Sequence, residues 1–163
     1  MNADDRPIDP ALFDARGMEL RSFTKEIEVA ASAAHAYALW TDSASWMALM
    51  GPDSRADIDL AIGGRYEWLF DGKIGSNGCQ VLSYIPDRLV SFTWNAPPGQ
   101  ATRERRTWVV VETEALTENS TRIRLTHLGF GQGAAWDETF AYFDSAWGRV
   151  LPMMKAELEA GAR

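Results

Sequence analysis

Along this chain the spacing of hydrophobic and polar residues switches between two periods, and each switch marks an element. From Ala134 to Ala160, Trp136, Phe140, Phe143, Trp147, Leu151, Met154 and Leu158 fall alternately about four and three apart, the signature of one apolar stripe on a long helix. Upstream the dominant period is two. Over 21–30, Phe23, Ile27 and Val29 interleave with Thr24, Lys25, Glu26 and Glu28, predicting a first strand. Further strands are predicted near 55–60, 64–70, 73–84, 88–95, 105–116 and 121–130. Their separators carry turn chemistry: Gly63-Gly64, Asp71-Gly72, Pro86-Asp87, Pro97-Pro98-Gly99 and Glu118-Asn119-Ser120. Asp71-Gly72, set between two alternating runs, is the signal of a tight hairpin.

Two short helices are predicted after the first strand. Ser32 stands at the N-cap of AAHAYALW, and Asp42 or Ser43 caps a second helix through Trp46, Met47 and Met50 that Gly51-Pro52 stops. In the last helix Pro152 removes a donor and crowds the carbonyl of Gly148, which predicts a kink and not a break. Residues 1–20 lack a sustained period and read as an arm, with a short helical turn starting at Asp9-Pro10. Residues 21–163 then form a single domain of order β-α-α-β6-α. Short connections call for antiparallel neighbours. The fold class is α+β: a curved seven-stranded antiparallel sheet wrapped around the C-terminal helix. Bulky rings meshing imperfectly between sheet and helix leave a pocket.

Composition narrows the functions. A net charge of −7 argues against a nucleic-acid surface, and the basic run Arg103, Arg105 and Arg106 reads as a solvated strand entry. Cys79 is the single cysteine, so an intramolecular disulfide and a Cys-based metal site are both ruled out. No apolar run approaches the ~20 residues of a membrane span, and the N-terminus opens on acidic residues, so a cytoplasmic protein without membrane contact is expected. HExxH, CxxC, EF-hand and GxSxG patterns are absent, the two histidines lie far apart, and neither a metal nor a cofactor is expected. Gly129-Phe130-Gly131-Gln132-Gly133 lacks the context of a nucleotide loop and is read as a flexible turn over the pocket mouth.

Alternation along the strands sorts the pocket candidates. Tyr66, Trp68 and Phe70 share one face, as do Val90, Phe92 and Trp94. Ile123, Leu125 and His127 lie opposite Arg122 and Arg124, which puts His127 inside. On 105–116 both faces look apolar and the facing stays open. From the helix, Phe140, Phe143 and Trp147 are the expected pocket wall, and Met47 and Met50 of the second helix either pack plainly or form an adaptable rim. His127 is either a satisfied core imidazole or a pocket acid–base, and Tyr66 either presents its hydroxyl or fills space.

Several ordered segments add a resemblance: IEVAASAAHAYALWTD, IGGRYEWLF, VLSYIPDRLVSFTW, TRIRLTHLGF and FDSAWGRVLPMMKAELE. Together, over roughly residues 22–161, they resemble the START-like, or SRPBCC, superfamily with its helix-grip fold. Within it the chain is most similar to the bacterial branch related to the C-terminal domain of the heat-shock-ATPase activator. That superfamily contains lipid and hormone carriers, polyketide cyclases and a few hydrolases, so the resemblance implies a container and leaves its use open. Three readings follow. The first is a binding protein for a small hydrophobic or aromatic molecule, lined by Tyr66, Trp68, Phe70, Phe92, Trp94, His127, Phe140, Phe143 and Trp147. The second is a metal-free cyclase or hydrolase, with His127 as general acid or base and Tyr66 orienting a carbonyl. The third is an interaction protein like the ATPase activator. A homodimer is among the partners considered.

Overall fold

The computed structural model describes residues 20–70 and 74–161. The arm up to Glu19, its Asp9-Pro10 turn, the Asp71-Gly72 hairpin turn and the Phe70 side chain lie outside the described residues. Strand β1 spans Arg21–Val29 and is followed by helices α1 (Ala33–Thr41) and α2 (Ser43–Met50). Strands β2 (Ser54–Ile58), β3 (Tyr66–Phe70), β4 (Ile74–Gly75), β5 (Val81–Ile85), β6 (Leu89–Trp94), β7 (Thr107–Thr117) and β8 (Ser120–Phe130) come next. Helix α3, Ala134–Gly161, closes the order.

The expected α+β helix-grip is the architecture, with the strands shared between two sheets. One sheet has the order β1-β8-β7-β6-β5 and the other β2-β3-β4. They are stitched by an isolated bridge between Arg65 and Gln80 and by the Tyr66 N–H donating to the Cys79 carbonyl at 2.9 Å. The strand predicted over 73–84 divides here into β4 and β5. Between them Ser76 substitutes for a ladder rung: its hydroxyl accepts from the Trp68 N–H at 2.9 Å and donates to the Tyr66 carbonyl at 3.2 Å. Gly78, at φ 68°, completes the departure from extended backbone.

The caps are those the sequence implies. Ser32 Oγ accepts from the His35 N–H at 3.2 Å and Asp42 Oδ2 from the Ser45 N–H at 2.8 Å. Gly51, at φ 93°, ends α2. Helix α3 continues unbroken through Pro152. Its buried stripe is Thr139, Phe143, Trp147, Leu151, Met154 and Leu158, while Trp136 and Phe140 are only half-buried. Thr139 takes the inner position because its hydroxyl is satisfied there by Thr102 and Gln100.

Facing is resolved by alternating burial on β1, β7 and β8. Thr107, Val109, Val111 and Thr113 point inward from β7, with Ile123, Leu125 and His127 beside them from β8. Outward, direct register opposes Glu28, Arg122 and Glu114 on three strands, and Glu26, Arg124 and Glu112 one step along. Arg122 reaches Glu28 at 3.0 Å and Glu114 at 3.1 Å, and Arg124 reaches Glu26 at 2.6 Å. These half-exposed ladders fix register more than they add stability.

Candidate functional site

Aromatic side chains from five elements converge where β6 ends beside α3. Trp46 of α2 stacks on Trp68 of β3 with ring centroids 3.3 Å apart and an interplanar angle of 21°. Trp68 meets Trp94 of β6 edge-on at 4.8 Å, and Trp147 of α3 at 6.0 Å. Trp40 of α1 closes the cluster from below, 5.9 Å from Trp147. Rings this large cannot interdigitate fully, and an open-sided pocket of about 290 Å³ remains between the cluster and α3. Its walls include Trp46, Trp68, Trp94 and Trp147, with Met50 and Met153 at the rim.

The pocket lies on the flank of the grip. Under the sheet's centre Tyr66, Phe92, Ile123, Leu125 and His127 are each fully buried. The candidates therefore separate. Trp68, Trp94, Phe143 and Trp147 line the pocket. Tyr66, Phe92, His127 and Phe140 do not. Tyr66 stacks on Phe92 at 3.7 Å, and its hydroxyl donates to the Trp40 carbonyl at 2.6 Å. Phe140 packs instead with Phe23 and Phe130, under the guanidinium of Arg21.

His127 is held on both nitrogens. The Trp147 indole N–H donates to Nδ1 at 3.0 Å, which leaves the proton on Nε2. Nε2–H then donates to Thr107 Oγ1 at 2.7 Å, and the Thr107 hydroxyl donates to the Trp94 carbonyl at 3.3 Å. Burial lowers the His127 pKa from 6.5 to about 3, so the ring is neutral at physiological pH. Phe23, Phe130, Phe143 and Trp147 pack around the ring, which is fully buried.

Two further expectations are corrected. The Gly129–Gly133 turn does not border the pocket. A Cβ on Gly131 would sit 2.5 Å from the Trp136 indole nitrogen, and the Gly131 carbonyl accepts from Arg21 Nε at 3.0 Å and Nη2 at 2.9 Å. Gly129 and Gly131 permit close packing against Trp108 and Trp136, whereas Gly133 serves a positive φ of 103°. Met47 stays off the rim, whereas Met50 is on it.

Sequence reasoning missed Trp46 and a second stripe on α3, Tyr142, Ala146, Val150 and Met153. The signal was present, because these residues repeat at helical spacing beside the buried stripe. A larger depression of about 710 Å³ lies near Arg88, Glu112, Glu114, Arg122 and Arg124. Its walls are charged and partly neutralise one another, which suits no apolar guest.

Among the described residues no group of histidine, cysteine and carboxylate side chains could hold a metal, and no helix is long and apolar enough to cross a membrane. Cys79 lies behind the pocket, 1% exposed, and burial pushes its thiol up to about 11. Three buried indole N–H groups, those of Trp40, Trp46 and Trp68, have no partner among the described residues. Each such group costs about 1–3 kcal/mol when left unmade.

Comparison with known proteins places this geometry in a family. A protein from Mesorhizobium loti superposes with a TM-score of 0.70 at 17% identity, over 86% of this chain and 98% of the other. The Aha1 dimer from Colwellia psychrerythraea gives 0.65 at 20% identity, over 86% and 98%. An HSP90 activator from Plasmodium falciparum gives 0.60 at 19%, over 78% and 88%. At such identities these likenesses speak for the fold alone. No curated protein matches the chain. The family model described as "Activator of Hsp90 ATPase homolog 1-like protein" matches residues 30–159, and the chain belongs to that family.

Proposed function

We propose that this protein binds a small apolar or aromatic molecule in the pocket between α2, the end of β6 and α3. The observation that carries this reading is the four-tryptophan wall left open to solvent beside the fully buried Tyr66, Phe92 and His127. Its volume, about 290 Å³, is at the lower end of ordinary ligand sites, roughly 300–1,000 Å³. Burying a planar guest there gains about 25 cal/mol per Å² of apolar surface removed from water. Met50 and Met153 at the rim adapt to guests of different outline.

The acid–base alternative draws less support. Tyr66 and His127, its two groups, stand outside the pocket with their polar atoms already bonded. A second reading, an interaction role like that of the Hsp90 ATPase activator, is favoured by the family's description. The dimeric Aha1 relative makes self-association part of the same question. Adding the protein to its cell's Hsp90-type chaperone and measuring ATP hydrolysis tests that reading; an unchanged rate removes it.

The binding reading is tested by screening flavonoids, polyketides and lipids by thermal shift and tryptophan fluorescence. A ligand that raises Tm and quenches emission should lose at least tenfold in affinity in Ala146→Phe, which fills the pocket from α3. Full affinity in a folded Ala146→Phe protein would refute it.

A further inference from the structure

We propose that the apolar run of the N-terminal arm, Ile8, Ala11, Leu12 and Phe13, docks over the mouth of the tryptophan pocket, so that a guest enters by displacing it. The inference uses the pocket of the binding reading and does not require that any guest bind. Tyr142 and Met153, 38% and 41% exposed, continue the tryptophan wall outward as apolar surface together with Met50 and Val150.

Helix α3 supplies the route. The described chain begins beside it, where Arg21 pairs with Asp137 and Lys25 with Asp144, so these carboxylates mark the β1 side of the helix. Tyr142, Ala146 and Val150 mark the pocket side. Between the two sides the exposed positions are Ala141, Ser145, Gly148, Arg149 and Pro152, a mostly small strip without a carboxylate. Gly148 is unexplained by the described fold: its φ is not positive, and a Cβ there would meet only the Lys25 ammonium, at 4.0 Å. Glycine disfavours a helix interior relative to alanine, and Pro152 crowds the Gly148 carbonyl, not its α-carbon. A segment crossing the helix closely accounts for it. The path along and around α3 from Asp137 to Ala146 is roughly 20 Å, and the eight residues from Phe13 to Arg21 can span up to roughly 26 Å.

Charge is complementary. The arm, residues 1–19, sets Asp4, Asp5, Asp9, Asp14 and Glu19 against Arg6 and Arg16. No carboxylate lines the pocket, Arg149 does, and Arg103 donates to the carbonyls of Gly75 and Ala96 at its border.

The test replaces Phe13 in the full chain with the photo-reactive p-benzoylphenylalanine and maps the cross-links by mass spectrometry. Irradiation should join the arm to Met50 or to residues 142–153 of the same chain, and Ala146→Phe should remove that cross-link. In parallel, Leu12→Ser combined with Phe13→Ser, which leaves the described core untouched, should bind 1-anilinonaphthalene-8-sulfonate at least fivefold tighter than the wild type. Cross-links elsewhere, cross-links only between two chains, or none at all overturn the docking, as does equal dye affinity in the two proteins. Equal dye binding that Ala146→Phe abolishes would leave the pocket reading standing without the arm. The intrachain cross-link with no dye bound by either protein would support the docking and count against the guest.

Discussion

The Trp147 indole donates to His127 Nδ1 across 3.0 Å, a buried bond that joins the helix to the sheet alongside the surface pairs Arg21–Asp137 and Lys25–Asp144. It fixes the imidazole tautomer, and through Thr107 it extends to the backbone of β6 at Trp94. A histidine in a pocket-forming fold invites a catalytic interpretation. Here its partners make it a structural pin, satisfied on both sides and neutral.

That neutrality has a pH signature. The unfolded imidazole takes up a proton near 6.5, whereas the folded one does so only near 3. Between these values the unfolded state binds one more proton, so stability present above 6.5 is lost as pH falls, at up to about 1.4 kcal/mol per pH unit. Urea unfolding at pH 7 and pH 5 should show a loss in the wild type that exceeds the loss in His127→Gln by about 2 kcal/mol. Equal losses in the two proteins would mean that His127 takes up its proton in the folded state as it does in the unfolded chain.

Tyr66→Phe removes the hydroxyl that donates to the Trp40 carbonyl at 2.6 Å but keeps the ring stacked on Phe92. The expected cost is about 1–2 kcal/mol of stability, read by denaturant titration. Affinity for any pocket ligand should be unchanged, because Tyr66 does not line the pocket. A folded variant with abolished binding would restore Tyr66 as a ligand contact.

Cys79 should resist alkylation. Its thiol is 1% exposed and held protonated, with a pKa of about 11. Iodoacetamide at pH 8 should label the native protein far more slowly than the urea-unfolded chain, as read by intact mass. Comparable rates would show that the segment between β4 and β5 opens readily.

Much of the fold was legible because its signals are local. The caps at Ser32 and Asp42, the stop at Gly51 and the alternation that puts Arg122 and Arg124 outside depend on neighbours in sequence. The division of the predicted 73–84 strand was not legible, because it rests on the Ser76 side chain replacing a backbone rung from β3. The site was half legible for the same reason. Alternation assigned Trp68 and Trp94 to the inner face correctly, but could not tell a residue at the pocket from one stacked behind it. Tyr66 and Phe92 share the faces of Trp68 and Trp94 and lie one step deeper, a distinction made by the end of β6 and the placement of α2. Trp46 enters the wall from α2, whose orientation follows from packing across the chain.

The central claim, that a planar guest lodges in the pocket between the tryptophan wall and α3, is tested most directly by a crystal structure of the protein soaked with an aromatic ligand taken from the screen. The account predicts density for the ring in the open pocket, against the tryptophan wall and beside Ala146 and Val150. An empty pocket at saturating probe, or the ring bound elsewhere on the molecule, would contradict it.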